Sequence, residues 1–336
     1  MRRAGDLFER AVTFEALLAA ARRAARGKRR KRPVARFLLD LEPEVLALRA
    51  ELRAGTWRPS PFRTFLIAEP KIRRISAVPF RDRVVHHALM DVLAPVLDKT
   101  LIPDSYACRE GKGGHRAVRE AQAFARAGGY FLKTDVEHCF ETLDHDVVLG
   151  LVARKVKDRR VLDLLDRIVR APVEGAAPGR GLPIGSLTSQ HLANYTLGFL
   201  DRFAKERLGL RRYLRYMDDI LAFADRKETL HEALAALRAF ARDQLRLTLK
   251  EQATRIAPVE EGVPFLGFRV FPGTVRLGRA ARLRFARRLL AKERACARGE
   301  IDEAVLAREA QSLVAHVQAA NTRAFRRSVL GGRTPS

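Results

Sequence analysis

The sequence YLRYMDDILAF spans residues 213–223 and places two adjacent acids, Asp218 and Asp219, between two apolar segments. Apolar residues on both sides of a short polar pair are typical of a β-hairpin, and aspartate is well tolerated at its tip. Strands are therefore predicted over residues 212–217 and 220–224. Because any hairpin tip needs turn residues, the aspartate pair alone does not establish a catalytic site.

A second apolar strand, predicted over residues 130–136, also ends in an acid. Phe131 and Leu132 precede Asp135 in this segment. If the strand and the hairpin are neighbours in one sheet, Asp135 and Asp218 can meet. Convergent carboxylates suit Mg²⁺, a hard cation that prefers oxygen ligands, and pairs of such ions neutralise charge in phosphoryl transfer. Such a meeting would suit a two-metal site, and simple turn formation is the alternative interpretation of the two aspartates.

The remaining sequence predicts helices around this centre. They are expected over residues 6–26, 42–54, 81–98, 116–127, 144–170, 186–208, 228–245 and from about 279 onward. Further strands are expected over residues 62–68, 72–78 and 264–271. The central order strand–helix–helix–hairpin–helix–strand predicts an α+β fold, a split-βαβ antiparallel sheet with helices on one face.

The charge of the chain indicates its class of partner. Its 336 residues include 64 Lys and Arg against 39 Asp and Glu, a formal charge of +25. Nucleic acid is the usual partner of so basic a protein, with an anionic membrane surface as the competitor. No apolar run is long enough to span a bilayer, and residues 1–30 lack the apolar core of a signal peptide, so a cytoplasmic location without membrane association is expected. The three cysteines are far apart and predict neither a disulfide framework nor a zinc site.

A basic block near the N-terminus is the first candidate contact with phosphate. Nine of the fifteen residues from Arg22 to Arg36 are Lys or Arg. Such a run is either a solvated helix end or a nucleic-acid contact, and the overall charge favours the contact. Arg29, Arg30 and Lys31 are the residues assigned to it.

Six segments in this order resemble the motifs of reverse transcriptases. They are residues 69–75 (EPKIRRI), 79–83 (PFRDR), 133–140 (KTDVEHCF), 181–190 (GLPIGSLTSQ), 216–219 (YMDD) and 265–268 (FLGF). The resemblance covers about residues 60–330 and implies a right-hand polymerase that copies a template RNA into cDNA from a DNA primer and dNTPs. It implies this division: a basic helical region 1–56, fingers 57–128, a palm 129–275 with a helical fingers insertion at about 144–180, a helical thumb 276–330 and a disordered tail 331–336.

The resemblance also assigns the metal ligands. Asp135 and Asp218 would bind two Mg²⁺ ions, for which Mn²⁺ could substitute. Asp219 would assist them, and the backbone carbonyl of Val136 would add a ligand. All three aspartates are therefore candidate catalytic residues.

The nucleotide contacts follow from the same resemblance. Lys71 and Arg73 would hold the triphosphate, with Arg74 as the substitute if the hairpin register differs. An aromatic residue at Phe140 blocks a ribose 2′-hydroxyl in this family, and core packing is the other reading of that residue. Gly185 lets the backbone approach the incoming base closely.

Nucleic-acid contacts are expected at two further places. Tyr216 and Gly267 belong to the catalytic and primer-gripping motifs. Four basic residues of the thumb recur at helical spacing, which suits contact with a duplex backbone or docking to a protein partner. They are Arg284, Arg287, Arg288 and Lys292.

Two positions resemble one subfamily, the reverse transcriptases of diversity-generating retroelements. Ile184 and Gln190 stand where most of the family has Gln and Pro, and residues 81–88 and 104–113 also resemble that subfamily. The resemblance implies a bacterial or phage enzyme that copies template adenines inaccurately, together with a small basic accessory protein that forms an oligomer. A retron-like or antiviral-defence reverse transcriptase is the alternative, and a non-catalytic RNA-binding protein is the reading outside enzymology.

One departure from the family concerns the leaving group. The family usually carries a Lys pair before the threonine that corresponds to Thr254, and this chain has Gln252 and Ala253 there. Protonation of the leaving pyrophosphate could fall to Lys250, to Arg255 or to neither residue.

Overall fold

The computed structural model describes residues 3–68 and 72–330. Its helices are α1 (Leu7–Ala11), α2 (Phe14–Ala24), α3 (Arg32–Leu39), α4 (Leu41–Ala54), α5 (Phe80–Asp98), α6 (Gly114–Ala125), α7 (Cys139–Thr142), α8 (His145–Ala153), α9 (Arg159–Val169), α10 (Leu187–Arg202), α11 (Lys227–Leu245), α12 (Arg279–Ala297), α13 (Glu303–Val317) and α14 (Arg323–Leu330). Its strands are β1 (Arg63–Ile67), β2 (Arg73–Ala77), β3 (Tyr130–Asp135), β4 (Arg212–Tyr216), β5 (Asp219–Ala224), β6 (Arg255–Pro258), β7 (Val263–Phe265), β8 (Phe268–Val270) and β9 (Val275–Leu277).

The chain folds into two compact units, each built from three segments. The first unit comprises Met1–Pro103, Val136–Phe203 and Leu237–Leu249. The second comprises Asp104–Asp135, Ala204–Ala236 and Lys250–Ser336. The division into fingers, palm and thumb describes function and stays a prediction, and the predicted tail 331–336 lies outside the described residues.

The first unit is organised around α5, which packs against α1, α2, α3 and α10. The single helix predicted over residues 6–26 is wrong, because the chain breaks between α1 and α2. Thr13 caps the second helix there, its hydroxyl accepting the backbone N–H of Ala16 at 3.1 Å. A side chain that satisfies a free helix-terminal donor competes with continued helix, and apolar periodicity does not register this competition.

The second unit contains the predicted antiparallel sheet, with the strand order β4-β5-β3-β6. Helix α6 packs against it, burying Ala117, Val118 and Ala121 in one cluster with Phe131 and Leu221. The hairpin β4–β5 pairs with β3 through β5, as a split-βαβ arrangement requires. The predicted α+β class is therefore confirmed.

A second sheet in this unit corrects another prediction. The strand expected over residues 264–271 is a hairpin, because β7 and β8 pair through Phe265 and Phe268 around a two-residue turn. Leu266 and Gly267 both have positive φ, 48° and 84°, as the tightest hairpin turns require. Leucine rarely adopts this conformation, so the apolar run gave no sign of the turn.

Candidate active site

The end of β3 and the start of β5 bring two carboxylates together. Antiparallel pairing places Asp135 directly opposite Asp219, and directly opposed residues project from the same face of a sheet. Both strands are anchored by buried residues, including Leu132 and Ile220, so their register is well defined. The sequence predicted that Asp135 and Asp218 meet, whereas the residue that lies opposite Asp135 in the register is Asp219.

Lys133 lies between these two acids. It precedes Asp135 by two residues on β3, so both side chains project from one face. Its Nζ is 2.8 Å from Oδ1 of Asp135 and 2.9 Å from Oδ1 of Asp219. Burial opposes its charge, but the two carboxylates outweigh burial and raise the pKa of Lys133. The sequence analysis did not identify this residue, since a lone lysine inside a strand carries no motif of its own.

The Asp219 carboxylate is in an unfavourable environment. Burial raises the pKa of Asp219 to about 7, and the negative charge of Asp135 adds to this effect against the opposing charge of Lys133. Its Oδ1 is buried and meets Lys133 as an ion pair without an aligned hydrogen bond. A buried oxygen that lacks such a bond, in a desolvated carboxylate, fits a divalent cation, which would restore the missing favourable contacts.

Asp218 occupies the turn itself. Only Met217 and Asp218 separate β4 from β5, and Tyr216 pairs with Asp219 at the end of the ladder. Met217 has φ 53°, a conformation that two-residue hairpins favour and that side chains other than glycine resist. Asp218 is exposed. Within residues 3–68 and 72–330, no three acidic, His or Cys side chains are close enough together to hold a metal ion.

Arg215 supports this turn and was also missed. It is fully buried, with 0% of its surface exposed. Its guanidinium donates to the Met217 carbonyl at 2.7 Å and to the Ser105 hydroxyl at 3.3 Å. Its backbone bonds to Asp104 and Tyr106, each at 3.0 Å. A buried arginine in a strand is rare without a partner. Its partner here, the carbonyl of the strained Met217, cannot be recognised from any sequence pattern.

The Val136 carbonyl, a predicted metal ligand, is oriented by a neighbouring backbone pairing. Val136 forms an isolated antiparallel bridge with Leu249 in the first unit. The hydrogen bonds beside this bridge run from Glu137 N–H to Thr248 and from Lys250 N–H to Asp135. In a non-hydrogen-bonded pair of this kind the carbonyl of Val136 is directed away from Leu249. The Val136 carbonyl therefore takes no part in this pairing, as its predicted role as a metal ligand requires.

An open cavity of about 460 Å³ lies beside the β4–β5 hairpin in the second unit. Its lining comes from the N-terminus of α6, from Tyr216 and from the β7–β8 hairpin, whose contributors are Leu266 and Phe268. Gly114 at the start of α6 lies beside Leu266: a Cβ on this residue would be 3.5 Å from Cδ1 of Leu266, an ordinary van der Waals contact. The cavity therefore joins the two motifs from which Tyr216 and Gly267 were predicted to contact nucleic acid.

The β1–β2 hairpin of the first unit directs Arg73 and Arg74 to opposite faces. Side chains alternate along β2, so Arg73 and Ile75 share one face and Arg74 projects from the other. Ile75 faces the loop of Gly185, where an added Cβ would lie 3.3 Å from its Cγ2. The Arg74 guanidinium instead donates to the Glu174 carbonyl at 3.1 Å. Exposed Arg73 is therefore on the side of Gly185, and Lys71 lies outside the described residues.

The loop that carries Ile184 and Gly185 is tied to the segment after β3. The Leu182 N–H donates to the carbonyl of Phe140 at 2.7 Å, which brings the predicted sugar-contacting residue to the same loop. Gly185 has φ 98°, which an L side chain rarely adopts. Ile184 is half-buried and lines a cavity of about 160 Å³, while half-buried Gln190 follows in the first turn of α10.

His86 anchors the end of this loop. It is buried in α5, and its Nδ1 lies 3.2 Å from the Ser186 hydroxyl and 3.1 Å from that of Thr188. Burial, helped by the charges of His87 and Arg83, lowers the pKa of His86 to about 3. The histidine is therefore neutral at physiological pH, and its contacts with Ser186 and Thr188 orient the start of α10.

This buried histidine predicts an acid-sensitive stability. The unfolded chain binds a proton on His86 near its ordinary pKa of 6.5 and the folded chain only near 3, so the contribution is complete above pH 6.5 and is lost progressively as the pH falls toward 3. The free energy of unfolding should fall with a slope of up to about 1.4 kcal/mol per pH unit. Urea denaturation from pH 7 to 4.5 measures it. We expect His86→Asn to flatten the slope and His231→Asn, at an exposed helical site, to leave it unchanged; equal slopes in all three proteins would contradict the assignment.

The predicted phosphate contacts differ in exposure. Arg29, Arg30 and Lys31 lie in an exposed turn before α3, and Arg287 and Arg288 are exposed on α12, next to half-buried Arg284. Half-buried Lys292 is paired with Glu309 of α13 at 2.6 Å, so it links α12 and α13. None of the described helices combines the length and apolar character needed to cross a bilayer.

Comparison with known proteins extends these observations. A sequence model of the family described as reverse transcriptase (RNA-dependent DNA polymerase) matches residues 68–270, more than half of the chain. Protein YkfC of Escherichia coli is 25% identical over 281 residues, which cover 71% of this chain and 74% of that protein. The group II intron-encoded protein LtrA of Lactococcus lactis is 25% identical over 169 residues, covering 48% of this chain and 28% of LtrA. The putative COX1/OXI3 intron 1 protein of Saccharomyces cerevisiae is 28% identical over 167 residues, covering 48% of this chain and 20% of that protein. The chain thus spans less than a third of the length of two of these relatives.

Solved structures support the same fold. Apo telomerase from Candida tropicalis, truncated from its C-terminal domain, has a TM-score of 0.50 at 13% identity, over 69% of this chain and 59% of that one. Telomerase from Candida albicans, in complex with a fragment of telomeric RNA, has a TM-score of 0.50 at 9% identity, over 83% of this chain and 56% of that one. At such identities the likeness concerns the fold alone, and it confirms the predicted right-hand polymerase architecture.

Proposed function

The chain belongs to the reverse transcriptase (RNA-dependent DNA polymerase) family, and we propose that it copies an RNA template into cDNA by two-metal phosphoryl transfer. The observation that carries the proposal is the placement of Asp135 opposite Asp219, with Asp218 on the adjoining turn. Polymerisation needs carboxylates that converge from separate strands, and this sheet supplies them. The group II intron relatives support the same class of activity.

The metal ions would be held by the three aspartates and by the carbonyl of Val136. When bound, two Mg²⁺ ions, or Mn²⁺ in their place, neutralise the charge on the attacking and leaving oxygens. The protein's own task is to hold the carboxylates at fixed positions, and the β3–β5 register does so. The buried surroundings of Asp219 also strengthen electrostatic interactions at the reacting phosphate.

The incoming dNTP would be bound by residues of the first unit. Arg73 and Lys71 pair with the triphosphate, where negative charge develops on the leaving pyrophosphate. Phe140 closes the space of a ribose 2′-hydroxyl and so favours deoxynucleotides. Gly185 provides a surface without a side chain for the base pair, and Ile184 and Gln190 border it.

The template RNA and the growing DNA strand would contact the basic and aromatic residues. Tyr216 and the Gly267 turn border the cavity beside the β4–β5 hairpin, where the primer end would lie. Basic residues of the N-terminal turn and of α12 would contact phosphates; they are Arg29, Arg30, Lys31, Arg284, Arg287 and Arg288. Lys292 would orient α12 through Glu309 rather than bind phosphate directly. These roles correspond to fingers over 57–128, a palm over 129–275 and a thumb over 276–330.

A primer-extension assay tests this function. Wild-type protein with an RNA template, a DNA primer and dNTPs should extend the primer only when Mg²⁺ or Mn²⁺ is present. Asp218→Asn, which keeps the size of an exposed turn residue, should bind the primed template and fail to extend it. Binding without extension by the wild type would favour a non-catalytic RNA-binding protein.

We further propose that the enzyme acts in a diversity-generating retroelement and makes errors at template adenines. Ile184 supports this step, because it directly precedes Gly185 and, by the resemblance, stands where most of the family has a glutamine that can donate and accept hydrogen bonds. A site without such polar contacts rejects incorrect partners less strongly. A small basic accessory protein would assist, and a template-repeat and variable-repeat pair beside the gene is the expected genomic context. A neighbouring structured RNA with a toxin gene would favour a retron-like or defence enzyme instead.

Restoring the polar side chain predicts a change in fidelity. Ile184→Gln should lower misincorporation opposite template adenine by about tenfold, as loss of one polar contact is worth roughly that factor. Sequencing of cDNA from a defined template measures the error at each base. Leu182→Met, a volume-conserving change in the same cavity lining, should leave the spectrum unchanged. An adenine error rate that is equal in wild type and Ile184→Gln would refute the role of Ile184.

A further inference from the structure

Lys133 occupies the position between two carboxylates where a cation is needed. Its ammonium contacts Oδ1 of Asp135 and Oδ1 of Asp219 at 2.8 and 2.9 Å, so both acids are turned toward a single point. Its side chain is only 16% exposed. Two neighbouring carboxylates with so little water around them repel each other unless a positive charge lies close by.

The residues that pair with Lys133 on the adjacent strands β5 and β6 either have no charge or have a charge that is paired elsewhere. Arg255 is its cross-strand partner on β6, but the guanidinium of Arg255 is paired with Glu261 and lies over the Phe131 ring. On β5 the residue opposite Lys133 is Leu221, which has no charge. Among these strand neighbours the ammonium of Lys133 therefore neutralises the pair.

We propose that Lys133 is an internal counter-cation, which holds Asp135 and Asp219 together in the metal-free protein and gives way when divalent cations bind. This inference rests on the proposed two-metal function. The ammonium lies between these two oxygens, at the point where an ion bridging them would sit, and like charges repel. Binding of the ion there therefore displaces the Lys133 side chain. Lys133 is thus a positioning residue that keeps the site assembled and lowers its affinity for metal.

The proposal predicts that removing the ammonium tightens metal binding. In Lys133→Met the ion has no competitor and no adjacent positive charge, so Mn²⁺ affinity should rise on the order of tenfold to a hundredfold. Lys133→Arg keeps the charge and should remain within about threefold of wild type. The metal-free Lys133→Met protein should melt at a lower temperature than wild type, and added Mn²⁺ should raise its melting temperature more than it raises that of wild type.

The matched control is Lys205→Met. Lys205 belongs to the same unit, is 20% exposed and pairs with Asp104 at 2.7 Å, so it is a similarly buried lysine–carboxylate pair. Its loss should leave Mn²⁺ affinity unchanged. If Lys133→Met fails to fold, as judged by circular dichroism, Lys133→Gln provides the same loss of charge with a polar side chain.

Titration of the full chain with Mn²⁺, followed by electron paramagnetic resonance of the free ion at pH 8.5, tests the proposal without relying on activity. Tighter binding by Lys133→Met, with Lys133→Arg and Lys205→Met near wild type, supports it. Equal or weaker binding by folded Lys133→Met overturns it while leaving the metal site intact. A separate Asp135→Asn titration tests the site itself: if that variant binds Mn²⁺ as well as wild type, the proposed metal function fails and the counter-cation role fails with it.

Discussion

Asp219→Asn is expected to lower the rate of primer extension by about a thousandfold. A metal ion contributes several kcal/mol to stabilising the transition state, and about 4 kcal/mol corresponds to a factor of a thousand. Asparagine fits the same space but lacks the charge, so it should preserve the β3–β5 register while removing a ligand. The loss should appear in kcat measured in single turnover, with primed-template affinity unchanged.

The control for this prediction lies on the same hairpin. Asp225 follows β5 directly, and its side chain is 84% exposed and paired with Arg212. Asp225→Asn should therefore extend primers within about twofold of wild type, because exposed ion pairs contribute little. If Asp219→Asn retained more than a tenth of wild-type kcat, Asp219 would not be an essential ligand. Asp135 and Asp218 would then remain as the proposed metal ligands.

The two adjacent aspartates, Asp218 and Asp219, differ in position and in their expected roles. The family resemblance gives Asp218 the principal role and Asp219 an assisting one. The structure places Asp219 opposite Asp135 and leaves Asp218 exposed on the turn. Equal losses in Asp218→Asn and Asp219→Asn would show that both carboxylates serve in the reaction and that the turn brings Asp218 to the metals when substrates bind.

The sequence predicted the elements whose signal is local. Alternating apolar residues identified β1 and β2, apolar segments on both sides of the aspartate pair identified β4 and β5, and Asp135 was identified as the acid at the end of an apolar strand. It failed where a turn is formed by residues that usually avoid one, as at Leu266, or where a cap interrupts an apolar pattern, as at Thr13. In these places the backbone conformation is decided by tertiary contacts and single hydrogen bonds, which periodicity does not report.

The site contacts that were missed share one property. Lys133 and Arg215 act through geometry across the sheet, the first by reaching two carboxylates on adjacent strands and the second by reaching a turn carbonyl. A charged residue within a strand is usually read from sequence as solvent-facing. Only the strand register shows that these two cations point at Asp135 and Asp219 and at the Met217 turn, so their roles could not be derived from spacing.

The turn that carries Asp218 should depend strongly on Arg215. Its guanidinium holds the carbonyl of Met217 at 2.7 Å, next to a backbone with φ 53° that side chains resist. Arg215→Met keeps the length of the side chain but removes this bond. The backbone bonds of residue 215 to Asp104 and Tyr106 do not involve the side chain, so the strand should stay in place while the turn relaxes.

A misplacement of about 1 Å in a catalytic group can cost on the order of a hundredfold in rate, and we expect Arg215→Met to lower kcat by about that factor. KM for dNTP and affinity for the primed template should change by less than about threefold, because the first-unit nucleotide residues are untouched. Arg215→Lys, which can donate one bond to the Met217 carbonyl, should recover part of the loss. Arg212→Met, three residues earlier on β4 and paired instead with exposed Asp225, should keep near wild-type kcat. Two outcomes would contradict this role: an equal loss of kcat in Arg215→Met and Arg212→Met, or a loss in Arg215→Met that is explained by a lower melting temperature. In either case Arg215 would contribute to general stability, and the Met217 turn would not depend on its side chain.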